Sequence, residues 1–96
     1  MRARLTSAAE AELTDALEWY EANATKAAPK FLDEFEALSR RLAENPRRFP
    51  VLEGEVRRAG FRRYPYGLLF VVGLDGVKVF ACFHASRDPR RWRDRI

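Results

Sequence analysis

Apolar residues recur at Ala9, Leu13, Ala16, Leu17 and Tyr20, the three- and four-residue spacing of one helix face. Ser7 reads as the N-cap of this helix, and Glu10, three residues on, completes a capping box. Glu10, Glu12, Asp15, Glu18 and Glu21 fall mostly off the apolar stripe, and the helix is expected to end near Asn23. Trp19 and Tyr20 are expected to pack. A second stripe of Phe31, Phe35, Leu38 and Leu42 predicts another helix, opening at Thr25 or Ala28 with Pro29 in its first turn. Asn45-Pro46 closes it, because proline pushes the preceding residue out of the helical region. A short connection between two amphipathic helices makes an antiparallel hairpin.

Beyond Pro50 the period changes to that of strands. Residues 56–64 are arginine-rich with β-compatible side chains between and predict a strand, and 65–67 form a turn. The continuous apolar run 68–72 fits a central strand covered on both faces. Asp75-Gly76 marks a hairpin, and 77–84 returns. Regular alternation puts Val77, Val79, Ala81 and Phe83 on one face, with Lys78, Phe80, Cys82 and His84 on the other. Residues 2–6 alternate weakly and predict a short first strand. The tail from Ala85 is polar and basic, with a helical turn expected after Pro89. The expected fold is α+β: a short N-terminal strand, a helical hairpin packed on an antiparallel β-meander, and a basic C-terminal tail. The arginines then belong to the uncovered sheet face or its rim.

Composition narrows the function classes. At 96 residues, with 47% hydrophobic side chains, the chain is expected to form one packed domain spanning 1–96. The net charge of +4 hides an asymmetry. Residues 1–46 carry 6 basic and 9 acidic side chains, a net of −3, whereas 47–96 carry 12 and 5, a net of +7. All but Lys78 of those 12 are arginine, whose flat fork suits phosphate and carboxylate. No apolar run approaches the ~20 residues of a membrane helix, and the N-terminus lacks the apolar stretch of a signal peptide. A cytoplasmic protein without membrane partners is expected. One cysteine and one histidine exclude a disulfide scaffold and an ordinary zinc site, so no metal or cofactor is expected.

Three groups can carry chemistry. Arg57, Arg58, Arg62, Arg63 and Tyr64 lie on the first meander strand, where Arg58, Arg62 and Tyr64 would share a face unless Gly60 marks a bulge. They either grip phosphates or acidic side chains, or shield a strand edge from self-pairing. In the tail, Arg87, Arg90, Arg91 and Arg93 are interleaved with Trp92, a pattern that can clamp phosphate while the ring stacks on a base. Alternatively Trp92 packs on the core and the tail arginines pair with Asp88 and Asp94. His84 can act as a general acid–base or as a hydrogen-bonded structural residue. Cys82 reads as a small core side chain.

These pieces together resemble the RelE/ParE superfamily of bacterial type II toxins, including the plasmid stabilisation group. The landmarks are Ala16-Leu-Glu-Trp-Tyr20, Phe31-Leu-Asp-Glu-Phe35, Asn45-Pro-Arg-Arg-Phe-Pro50, Val56-Arg-Arg58, Phe61-Arg-Arg-Tyr-Pro-Tyr66, and His84-Ala-Ser-Arg-Asp-Pro89 with Trp92. The resemblance implies a compact α+β toxin neutralised by a cognate, acidic antitoxin. The superfamily divides by mechanism. RelE-like members cleave mRNA on the ribosome, and that route would here use Arg62, His84 and Arg87. ParE-like members bind and poison DNA gyrase. The Trp19-Tyr20 pair and the Arg87-Asp88-Pro89…Trp92 tail resemble the ParE side, and tryptophan cannot serve as a C-terminal proton donor. Gyrase inhibition by binding is therefore the leading expectation, with ribosome-dependent endonuclease as the alternative and a non-toxic antitoxin-binding module as a third.

Overall fold

The computed structural model describes residues 1–87 and 89–95 and, of Pro89 and Arg90, the backbone alone. It contains β1 (Ala3–Leu5), α1 (Ser7–Asn23), α2 (Ala27–Glu44), a 3-10 turn (Pro46–Arg48), β2 (Val51–Glu53), β3 (Val56–Gly60), β4 (Tyr66–Gly73), β5 (Gly76–His84) and a 3-10 tail helix (Pro89–Arg95). The α+β expectation and the helical hairpin are borne out. The sheet has five strands in the order β1-β5-β4-β3-β2, and β1 joins it parallel to β5, so the sheet is mixed. β2, only three residues and fully exposed, carries no alternation from which the sequence could announce it.

The α1 cap falls one residue earlier than expected: the Thr6 hydroxyl accepts from the Ala9 N–H at 3.2 Å. The two helices cover one sheet face. Phe31 is fully buried and stacks on Phe61 at 5.1 Å and 11°, with Tyr20, Tyr64 and Tyr66 edge-on or tilted around it. Offset and edge-to-face geometry lets rings bury area while satisfying their quadrupoles. The Tyr64 hydroxyl donates to the Ala27 carbonyl at 2.9 Å, which ties the loop after β3 to the start of α2.

Three local readings require correction. The first meander strand stops at Gly60, not Tyr64. Phe61 N–H turns back to the Tyr66 carbonyl, Glu34 takes the N–H groups of Arg62 and Arg63, and Pro65 has none to give, so no ladder can continue. The hairpin loop residues are Leu74 and Asp75, with Gly76 opening β5 at φ 134°. Glycine is required there twice over, because an added Cβ would also overlap the Arg2 carbonyl just ahead of the docked β1.

The third correction concerns β5. Leu69 pairs with Ala81 and Phe70 with Val79, leaving Phe80 as an extra residue, a β-bulge. Alternation restarts after it. Val77 and Val79 face the helices, and so does Cys82, whereas Phe80, Ala81 and Phe83 all face the opposite side. Beyond Val79, β1 no longer accompanies β5. The exposed ladder groups are met by side chains instead: the Cys82 N–H donates to the Glu12 carboxylate at 3.1 Å, and Arg95 donates to the Phe80 carbonyl at 3.1 Å. Glu12 and Arg95 close the arrangement with a two-pronged pair at 2.8 and 3.0 Å. Glu12 thus stands where a strand carbonyl would, and Arg95 where a strand N–H would.

Two measurements follow. Glu12→Ala leaves a part-buried N–H unpartnered and releases the tail, and is expected to lower unfolding free energy by about 1–3 kcal/mol in a denaturant titration. An unchanged midpoint contradicts the latch. Burial, reinforced by the Glu12 carboxylate, pushes the Cys82 thiol up from 9.0 to about 12. The unfolded thiol therefore ionises from about pH 9 upward while the native one keeps its proton until about pH 12, so this group favours unfolding across that window. Wild type should lose more stability than Cys82→Ala between neutral pH and the alkaline part of that window, and native Cys82 should resist alkylation at neutral pH.

Candidate functional site

The sheet face away from the helices is apolar at its centre and basic at its border. Leu69, Ala81 and Phe83 floor a hollow of about 290 Å³ whose wall is Trp92 and whose rim holds Glu12, Arg87, Arg91 and Arg95. Arg58, on the same face as Leu69, lies with its guanidinium 5.8 Å from the centre of the Phe83 ring, a cation–π contact. Gly67 leaves the space for it: a Cβ there would sit 3.3 Å from Arg58 Nε. Trp92 is 5% exposed and packs on Phe80 at 5.9 Å, which fixes the tail helix against the bulge. Its indole Nε1–H is buried without an acceptor among the described residues. A buried donor left unpaired costs free energy unless something binds it.

The arginines divide into distinct jobs. Arg57 donates to the carbonyls of Phe49 and Arg47 at 2.7 and 3.1 Å, and so fastens β3 to the chain after α2. Arg93 pairs with Glu53 at 2.9 Å and Arg95 with Glu12, rather than with Asp94. Asp88 lies outside the described residues, and so does the Arg90 side chain. Arg62 and Arg63 are exposed in the β3–β4 loop, where their backbone, not their guanidinium groups, is held by Glu34. Tyr64 is a half-buried packing residue. Of the candidate side chains, Arg87 and Arg91 line the hollow, and Arg58 lies beside it over the Phe83 ring.

A second recess, of about 440 Å³, opens at the end of β5 and is lined by Trp19, Tyr20, Tyr66, His84, Ser86 and Arg87. The three residues of the nuclease reading are thus divided: His84 and Arg87 share this cleft, and Arg62 lines a separate one beside Glu34 and Arg41. His84 stands 5.1 Å from Tyr66, edge-on. Its Nδ1 receives the Ser86 backbone N–H at 3.1 Å, with the Ser86 hydroxyl at 2.7 Å. Burial raises the phenol pKa of Tyr66, and Arg87 pulls it partly back. Among the described residues no group of three histidine, cysteine or acidic side chains is placed to hold a metal ion, and no helix is long and apolar enough to cross a membrane.

Two contributors escaped the sequence reading. Glu12, expected mostly off the apolar stripe, lies three residues after Ala9 and four before Ala16, within the buried stripe, and that spacing is the available signal. Trp19 was expected to pack but is 55% exposed. Tyr20, next to it, takes the core position and holds the indole edge-on at 5.1 Å.

No curated protein sequence matches the chain. Among solved structures, a chain of the chromosomal ParDE TA system from P. aeruginosa superposes with a TM-score of 0.76 at 18% identity, covering 88% of this chain and 95% of that one. At that identity the likeness speaks for the fold. The family model for the ParE toxin of the type II toxin–antitoxin system, parDE, matches residues 3–89. With that match running from β1 to the start of the tail helix, the chain belongs to the ParE toxin family of type II toxin–antitoxin systems.

Proposed function

We propose that this protein is a toxin that acts by binding, with DNA gyrase as its target, and that a cognate acidic antitoxin neutralises it by seating on the arginine-rimmed hollow. The observation that carries the docking half is the hollow's composition. An apolar floor of Leu69, Ala81 and Phe83 takes a hydrophobic anchor, Arg58, Arg87 and Arg91 meet flanking carboxylates, and the buried Trp92 Nε1–H offers a donor to any acceptor that reaches it. An amphipathic acidic segment that folds on binding has that chemistry. The family match supports gyrase as the target, because the ParE-like side of the superfamily is the one that poisons it. Binding rather than cleavage is supported by the separation of Arg62 from His84 and Arg87, which leaves the nuclease trio unassembled.

Induction without antitoxin should arrest growth, and the purified protein should inhibit supercoiling by gyrase. Normal supercoiling at high protein excess counts against the target, and new 5′ ends on translated mRNA would restore the endonuclease reading. Affinity for the antitoxin's acidic segment should fall steeply as salt rises, because the contacts are partly exposed charge pairs. Arg58→Ala with Arg91→Ala should weaken it by at least about tenfold, a loss of ~1.4 kcal/mol. Affinity flat in salt and unmoved by both substitutions places the docking site elsewhere.

A further inference from the structure

The cleft at the end of β5 is not used by the antitoxin reading, and its composition differs from the hollow's. Trp19 is the largest exposed aromatic group of the described residues, and it is held rather than loose. Tyr20 meets the indole at 89°, and the Asn23 side-chain amide caps the Trp19 backbone carbonyl at 2.9 Å, fixing the chain there. The indole is exposed beside Tyr66 in the lining of the cleft. Arg87 and His84 line the same cleft. Because Nδ1 of His84 accepts from the Ser86 N–H, a neutral imidazole carries its proton on Nε2 and serves as a donor. The Ser86 hydroxyl, 2.7 Å from the same Nδ1, donates to it and helps fix that tautomer. Among the described residues none of those lining the cleft is acidic.

An exposed indole, a guanidinium and an imidazole N–H lining one cleft match a ligand with an aromatic ring at one end and an anion at the other. A recess of about 440 Å³ falls within the range of small-ligand sites. We propose that this cleft binds a nucleoside monophosphate, the base stacking on Trp19 and the phosphate held by Arg87 and His84. Stacking on an aromatic side chain tolerates any base, so the site selects for the phosphate and a planar ring rather than for sequence. The ligand is either a free nucleotide or the phosphorylated end of a single strand, which present the same group. The proposal does not rest on gyrase or on the antitoxin, since Trp19, Tyr66 and His84 do not line the hollow, although Arg87 borders both recesses.

Fluorescence provides the test, because of the two tryptophans only Trp19 is exposed. AMP added to the intact protein should quench emission saturably, and a 5′-phosphorylated trinucleotide should do so at least as tightly if the natural ligand is a strand end. Adenosine and inorganic phosphate should each bind more weakly than AMP. Calorimetry should show Trp19→Ala weakening AMP by about tenfold or more, the usual range for a lost stack. His84→Ala should weaken AMP by about tenfold while leaving adenosine unchanged. Both variants should unfold at the wild-type midpoint, since Trp19 is exposed and His84 lies at a strand end. No saturable quench by AMP, unchanged AMP affinity in Trp19→Ala, or adenosine binding as tightly as AMP each overturns the proposal. If Trp19→Ala does not fold, His84→Ala decides alone, and unchanged AMP affinity there is equally fatal.

Discussion

The arrangement of this molecule turns on a single extra residue in β5. Were β5 regular, Ala81 and Phe83 would join Val79 under the helices, and Cys82 and His84 would face outward. The bulge at Phe80 reverses this. It supplies Ala81 and Phe83 as the floor of the far-face hollow and places Phe80 where Trp92 can pack on it. It also turns the Phe80 carbonyl to Arg95 and the Cys82 N–H to Glu12. Bulges near sheet edges commonly re-aim side chains at sites. Here one bulge determines both the floor of the hollow and the anchorage of the tail that walls it.

That feature marks the boundary of what the chain's pattern reveals. Helical period located α1 and α2 because burial on one face demands it, and Asn45-Pro46 ended α2 because proline forbids anything else. The hairpin at Asp75-Gly76 was legible from glycine's backbone freedom, with an error of one residue. The bulge left no such mark. Its residues, Val79, Phe80 and Ala81, are all apolar, so shifting the alternation by one exchanges apolar for apolar and costs the pattern nothing. β2 was invisible because three exposed residues have no buried face to encode, and β1's parallel pairing is a property of the sheet rather than of its own sequence.

Charge was legible in location but not in use. The excess of arginine in the second half is shared between the far face, the tail and the β3–β4 loop, and guanidinium groups with the same sequence appearance do different work. Arg57 and Arg95 spend theirs on backbone carbonyls that the sheet cannot satisfy, and Arg93 ties the tail helix to Glu53 at the end of β2. Among the described residues, Arg87 and Arg91 line the hollow, and Arg58 sits beside its Phe83 floor. What separates the two sets is proximity to unpaired backbone groups, which depends on where strands end. Those ends are set by tertiary contacts such as Glu34 on the Arg62 and Arg63 amides.

Among the described residues, Arg87 alone borders both recesses, the hollow on the far face and the cleft beside Trp19. One flexible cation cannot be fully committed to two anions at once. Any occupant that draws the guanidinium to its own side removes positive charge from the other, so the two recesses are thermodynamically linked through a shared side chain. Linkage of this kind is reciprocal: whatever penalty the first ligand imposes on the second, the second imposes on the first. The molecule thereby contains the elements of a competition between distant surfaces that needs no change of fold, only the swing of one arginine.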